Sequence, residues 1–171
     1  QAIKQFCKWM VLDRRATESP VRHLKGLNVK LDRRHDRRPL EPDEIRHLLE
    51  ATSAAPQRFG MTGPQRAMLY RLAVETGLRA NELRTLTISS FDLNKDTVTV
   101  RAGYSKRKRE DVLPLRPDTA AELRRFLAGK LPEARAFKVP GKPAVMLRAD
   151  LADVGIPYVD DSERYADFHA L

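Results

Sequence analysis

Cysteine is nearly missing from this chain: Cys7 is the single one in 171 residues. That excludes a disulfide framework and a cysteine-based zinc site, and it fits a reducing compartment. Long hydrophobic runs are missing as well. No window approaches the roughly 18 consecutive apolar residues of a membrane helix, and the N-terminus lacks the basic, apolar and small-residue progression of a signal peptide. The chain therefore reads as soluble and intracellular. Glycine is scarce, at 8 residues, and with 32% charged residues the composition is neither low-complexity nor fibrous. Acid is in deficit. Asp and Glu number 23 against 32 Lys and Arg, for a formal net charge of +9 and a pI near 10.0. A polyanion is the expected partner. The 42% hydrophobic residues are enough for the core of one ordinary domain with an appendage.

The basic excess is unevenly spread. Residues 1–40 carry net +7, residues 41–100 net −1, residues 101–148 net +8 and residues 149–171 net −5. A surface shaped only for solubility mixes its signs, so two basic blocks around a neutral centre suggest two places that approach phosphate. Either block could also be no more than a solvated face. Arginines outnumber lysines by 22 to 10, which suits bidentate phosphate contacts, although base composition of the gene produces the same bias.

Local signals divide the chain. Ile3, Phe6 and Met10 fall on one side of a helical pattern with Trp9 beside them, and Phe6 and Trp9 are expected to be core rather than base-stacking platforms. Cys7 shares that helix and is expected to be inert. Ser19-Pro20 ends the pattern. Residues 22–39 are polar and strongly basic, an extended linker lying on or near nucleic acid through Arg33, Arg34, Arg37 and Arg38. Pro42 with Asp43 and Glu44 starts a helix, a second opens near Pro64 and ends at Gly77, and a third begins around Ala80-Asn81-Glu82. Thr97–Val100 alternates and Val112–Leu115 follows, predicting a two-stranded ribbon joined by residues 101–111, with Pro114 on an edge. Pro117-Asp118 starts another helix, and a short one spans Ala144 to Val154. The fold class is mainly α with a small antiparallel β-ribbon, an α+β arrangement.

Two places could carry chemistry. In Thr76-Gly77-Leu78-Arg79, glycine breaks one helix and the next begins within three residues, which sets Arg79 in a tight corner beside backbone N–H donors suited to a phosphate. A structural pairing of Arg79 with Glu75 or Glu82 is the competing reading. In the ribbon, Lys106-Arg107-Lys108-Arg109 puts four cations at a hairpin tip, either a groove-entering element or a solvated turn. Glu44 and His47 have the spacing of a carboxylate–histidine metal pair, but a lone copy is a weak signal and no metal site is expected.

Taken in order, Thr76-Gly77-Leu78-Arg79-x-x-Glu82-Leu83, a ribbon with a lysine, Val112-Leu113-Pro114-Leu115 and a histidine at 169 resemble the tyrosine recombinases, or phage-type integrases. The resemblance covers nearly the whole chain. It implies that residues 1–25 are the last helix of a core-binding domain, 26–39 a basic interdomain linker, and 40–171 the first part of a catalytic domain. It implies that Arg79 binds the scissile phosphate, that Lys106 (with Lys108 as fallback) is the general acid for the departing 5′ oxygen, and that His169 opens an H-x-x-R box contacting the same phosphate. Tyr70, Tyr104, Tyr158 and Tyr165 all precede that box, so none matches the family's nucleophile, and the chain is expected to be a fragment inactive on its own. The resemblance further implies double-stranded DNA as partner, bound in part by Arg107, Lys108 and Arg109. It also implies self-assembly on DNA in the full-length protein, no metal or nucleotide cofactor, and a nucleoid-associated place in a prokaryote or phage. A non-catalytic DNA-binding module on the same scaffold is the alternative, and a basic RNA-binding protein a weaker one.

Overall fold

In a computed structural model of the chain, the residues described are 2–25, 36–105, 108–169 and 171. They belong to two compact units, Gln1–Arg34 and His35–Leu171. The first contains helix α1, Ala2–Leu12, whose buried residue is Cys7. Phe6 and Trp9, expected to be core, are instead exposed, with ring centroids 5.9 Å apart. Arg15 lies over the Trp9 ring and pairs with Asp13.

The second unit is organised around one helix. Helix α2, Pro42–Ala54, opens with proline at its first turn, and the Glu44 carboxylate accepts from the Glu41 N–H at 2.9 Å. Helix α3, Gly63–Thr76, starts with a reciprocal box: the Gln65 N–H donates to Thr62 Oγ1 at 3.3 Å and the Thr62 N–H donates to Gln65 Oε1 at 2.9 Å. Along α3 only Pro64 is exposed, and seven of its residues are buried, so most of the helix faces the interior. Its first residue allows this. A Cβ on Gly63 would stand 2.4 Å from the carbonyl oxygens of both Thr52 and Ala55, so the end of α2 and the start of α3 meet backbone to backbone.

Helix α4, Ala80–Thr85, follows after a corner. A three-stranded antiparallel sheet comes next, β1 (Phe91–Asp92), β2 (Thr97–Val100) and β3 (Asp111–Pro114), in that order. The strand β1 extends the expected two-stranded ribbon. It pairs Phe91 with Val98 and Asp92 with Thr97, while β3 pairs Val98 with Leu113 and Val100 with Asp111. Val98 and Val100 face the core, and Pro114 sits on the edge strand, where its missing N–H costs no ladder bond. Helices α5, Pro117–Leu127, and α6, Pro143–Asp153, complete the unit, each with proline in its first turn. Leu48, Leu69, Leu72, Leu83, Leu123, Leu147 and Leu151 form the centre of one core. Among the described residues no helix is long and apolar enough to cross a membrane.

A charge pair lies inside that core. Arg66 and Asp150 have side chains 0% and 1% exposed and bond twice, at 2.9 and 3.1 Å. Tyr70 donates to the same carboxylate at 2.7 Å, and Arg66 Nη1 donates to the carbonyls of Pro56 and Met61. Burial, and then the neighbouring Asp150 charge, push the Tyr70 phenol above its ordinary range.

Removing one partner leaves the other charge buried alone. Asp150→Ala is expected to lower unfolding free energy by about 3–5 kcal/mol in urea titration, with part of it recovered in Arg66→Met/Asp150→Leu. Gly63→Ala is expected to lose about 1–3 kcal/mol in the same titration, because the carbonyls it meets, Ser53 included, are backbone atoms at the end of α2 that cannot move without shifting it.

Candidate active site

The corner after α3 is built from short-range bonds. Gly77 takes the left-handed conformation at φ 65°, and its N–H donates to the Ala73 carbonyl at 2.9 Å. Thr76 Oγ1 donates to the Leu72 carbonyl at 2.6 Å and accepts from the Leu78 N–H at 3.3 Å. The chain then straightens, and Arg79 precedes α4 with φ −72° and ψ 154°. The buried Glu82 carboxylate accepts the Arg79 N–H at 2.8 Å and lies 3.6 Å from its guanidinium. Of the two structural pairings open in the sequence, the one with Glu82 is present. It does not consume the arginine: the Arg79 side chain remains 51% exposed.

Arg79 lines two clefts. One, of about 410 Å³, lies between the corner and the ribbon and is bordered by Ser105, Arg109, Asp111 and Leu113. The other, of about 570 Å³, lies between α4, the start of α6 and the stretch ending in His169, and its rim includes Asn81, Arg84, Lys142 and Asp167. Arg79 and His169 thus share one cleft, although they are 90 positions apart in the chain. On the ribbon side, Asp111 accepts from the Ser105 hydroxyl and pairs with Arg109, each at 3.0 Å. Lys108 adopts a positive φ of 53°, a strained turn conformation for a non-glycine residue. Lys106 and Arg107 lie outside the described residues, as do Arg33 and Arg34.

Arg37 and Arg38 were expected to lie on nucleic acid with the rest of the linker. Arg38 is buried instead, bidentate to Glu44 at 2.8 and 3.2 Å and bonded to the Pro157 carbonyl at 2.8 Å. Its charge is matched inside the unit, so it is not offered to a phosphate. Arg37 is exposed and pairs with Asp167 at 2.9 Å. Tyr70 is locked to Asp150 in the core. Sequence reasoning overlooked Arg84 and Lys142. Arg84 bonds the Pro140 carbonyl at 2.8 Å and the Val139 carbonyl at 3.4 Å, which fixes the loop that carries Lys142 to the cleft. The visible signal was Lys142-Pro143, a cation at a helix start, but its proximity to Arg79 is a tertiary fact.

With that geometry in place, the comparisons with known proteins are consistent with one another. The model of the phage integrase family matches residues 38–138, more than half of the chain. The chain belongs to that family, the tyrosine recombinases. It is 26% identical over 136 residues to a tyrosine recombinase, XerA, of Saccharolobus solfataricus, covering 80% of this chain and 39% of that protein. The fold is similar to the crystal structure of XerA recombinase, with TM-score 0.56 and 16% identity over 98% of this chain and 64% of the other. It is also similar to the catalytic domain of bacteriophage HP1 integrase, with TM-score 0.51 and 16% identity over 78% and 68% of the two chains. A third similar fold is the integrase of mycobacterium phage Brujita, with TM-score 0.51 and 16% identity over 99% and 52%. The chain therefore spans about two fifths of the curated relative it matches.

The Arg38 guanidinium, by hydrogen bonding, holds the Glu44 carboxyl below the usual carboxylate range. A lowered folded-state value contributes stability that is present above the unfolded pKa of about 4.3 and is lost as pH falls through the folded value. Glu44→Gln is therefore expected to flatten the acid limb of stability against pH below about pH 5, measured as urea midpoints.

Proposed function

We propose that this chain carries part of the catalytic centre of a site-specific DNA recombinase, which cuts and rejoins DNA strands through a 3′-phosphotyrosyl link. The observation that carries the reading is Arg79. Its half-exposed guanidinium stands on a rigid corner between the ribbon cleft and the cleft shared with His169, in a member of the tyrosine recombinase family. A phosphate in the shared cleft would have a guanidinium and an imidazole within its lining, which suits the extra negative charge of a pentavalent transition state.

Each residue has a role in this scheme. A tyrosine oxygen attacks the scissile phosphorus and the 5′ oxygen departs, taking a proton from Lys106. Arg79 and His169 bind the non-bridging oxygens. The 5′ hydroxyl of another strand then attacks the phosphotyrosyl bond and releases the tyrosine. Bond energy is conserved in the covalent link, so the scheme needs neither metal nor nucleotide. The nucleophile is assigned to sequence following the histidine box, because Tyr70, Tyr104, Tyr158 and Tyr165 all precede it. Lys108, Arg109 and Arg107 on the ribbon, with Arg33 and Arg34 in the linker, are assigned to backbone phosphates of duplex DNA. Assembly of several copies on DNA, and a nucleoid-associated place in a prokaryote or phage, go with that substrate.

The test uses protein expressed from the complete coding sequence, incubated with duplex carrying its inverted-repeat site. A detergent-resistant protein–DNA adduct is expected, and Arg79→Ala should slow its formation by about 10²–10³-fold. Tight binding with no adduct in the unmodified protein would favour a non-catalytic DNA-binding module instead.

A further inference from the structure

His169 ends a stretch, residues 156–169, that has neither helix nor strand. Such a segment holds a side chain in place only where individual bonds pin it. The pins are identifiable. Ala166 and Phe168 turn inward and are buried, Phe168 with its ring 6.2 Å from that of Tyr70. The Tyr165 N–H donates to the Asp36 carbonyl at 2.7 Å and the Arg38 N–H donates to the Tyr165 carbonyl at 3.1 Å, so residues 36–38 lie alongside as a short parallel partner. Between the two inward residues, Asp167 uses both carboxylate oxygens. Oδ1 accepts the His169 N–H at 2.9 Å, and Oδ2 accepts Arg37 Nε at 2.9 Å.

We propose that Arg37 is a positioning residue for His169, acting through the Asp167 carboxylate, and not itself a phosphate contact. This rests on the reading of His169 as a phosphate-binding group. The carboxylate is a bridge whose two ends are bonded in different directions. With Arg37 in place it cannot turn about its own Cβ–Cγ axis without breaking a charge-assisted bond. Arg37 is itself placed by its neighbour, because Arg38 is bidentate to Glu44 on α2 and bonded to the Pro157 carbonyl. A line of contacts therefore runs from α2 through Arg38, Arg37 and Asp167 to the cleft that His169 shares with Arg79. The composition-based expectation for Arg37 was the opposite, a cation presented to DNA.

The two roles leave different marks. A cation that neutralises a phosphate contributes about 0.9 to the slope of log K against log salt, whereas a residue acting through another changes affinity without changing that slope. The experiment compares Arg37→Gln, Arg37→Lys, His169→Gln and the Arg37→Gln/His169→Gln pair in the ¹⁵N-labelled 171-residue chain. Duplex DNA binding is measured across a KCl series at one fixed pH, alongside amide hydrogen exchange at His169. Arg37→Gln should speed His169 exchange roughly tenfold, as expected for losing one charge-assisted hydrogen bond. It should also weaken binding with an unchanged salt slope, and Arg37→Lys should restore part of both. The double variant should bind no worse than His169→Gln alone.

A slope reduced by about 0.9 with His169 exchange unmoved would overturn the proposal and return Arg37 to phosphate contact. Additive losses in the double variant would also overturn it. If Arg37→Gln speeds His169 exchange but His169→Gln leaves binding untouched, the Arg37–Asp167 link stands and the reading of His169 as a phosphate ligand fails.

Discussion

The Arg66–Asp150 pair is the constraint on which the second unit depends. Two charges with side chains 0% and 1% exposed are tolerable only with every strong donor matched. Asp150 comes from α6 and Arg66 from α3. The Arg66 guanidinium also reaches the Pro56 and Met61 carbonyls in the connection between α2 and α3. Three parts of the chain are thereby locked to one point. An apolar core alone would allow helices to slide by a fraction of a turn, whereas a buried bidentate pair has one good geometry. The corner with Arg79 is 13 residues further along the chain from Arg66, and the start of α6 faces it across a cleft. Fixing α3 against α6 fixes the two walls of that cleft.

Arginine is used here in three distinct ways, and burial separates them. Arg38 and Arg66 are neutralised inside by Glu44 and Asp150. Arg84 is half structural, bonding two loop carbonyls while lining the cleft. Arg79 keeps its backbone bonded to Glu82 while half of its side chain faces outward. A net charge of +9 is therefore a poor guide to which cations meet a polyanion, since part of the basic content is consumed in holding the fold. Arg79 differs from Arg38 and Arg66 in keeping half of its side chain exposed, which is why it is the arginine proposed to meet phosphate.

Much of the architecture was legible because its punctuation is local. Pro42, Pro64 and Pro117 in first turns and Gly77 at a left-handed cap act through nearest neighbours, so each of these boundaries could be read within a residue or two. The corner at Arg79 was legible for the same reason. The short strand β1 was not, since Phe91-Asp92 carries no periodicity and exists only through pairing with Val98 and Thr97. Arg37 and Arg38 read as one basic block, yet they differ entirely, because Glu44 lies six positions from Arg38 and Asp167 lies 130 from Arg37. Lys142 joins Arg79 only through the loop that Arg84 pins. Phe6 and Trp9 show the converse error, an apolar pattern that the first unit leaves exposed.

Arg79 and His169 line one cleft, and both are proposed to meet the same phosphate there. Titrating the labelled chain with a short duplex while following the Arg79 side-chain Nε–H and the His169 amide by NMR tests it most directly. Both resonances are expected to move together along one binding curve. Shifts confined to the ribbon around Lys108 and Arg109, with Arg79 and His169 unmoved at saturation, would contradict it.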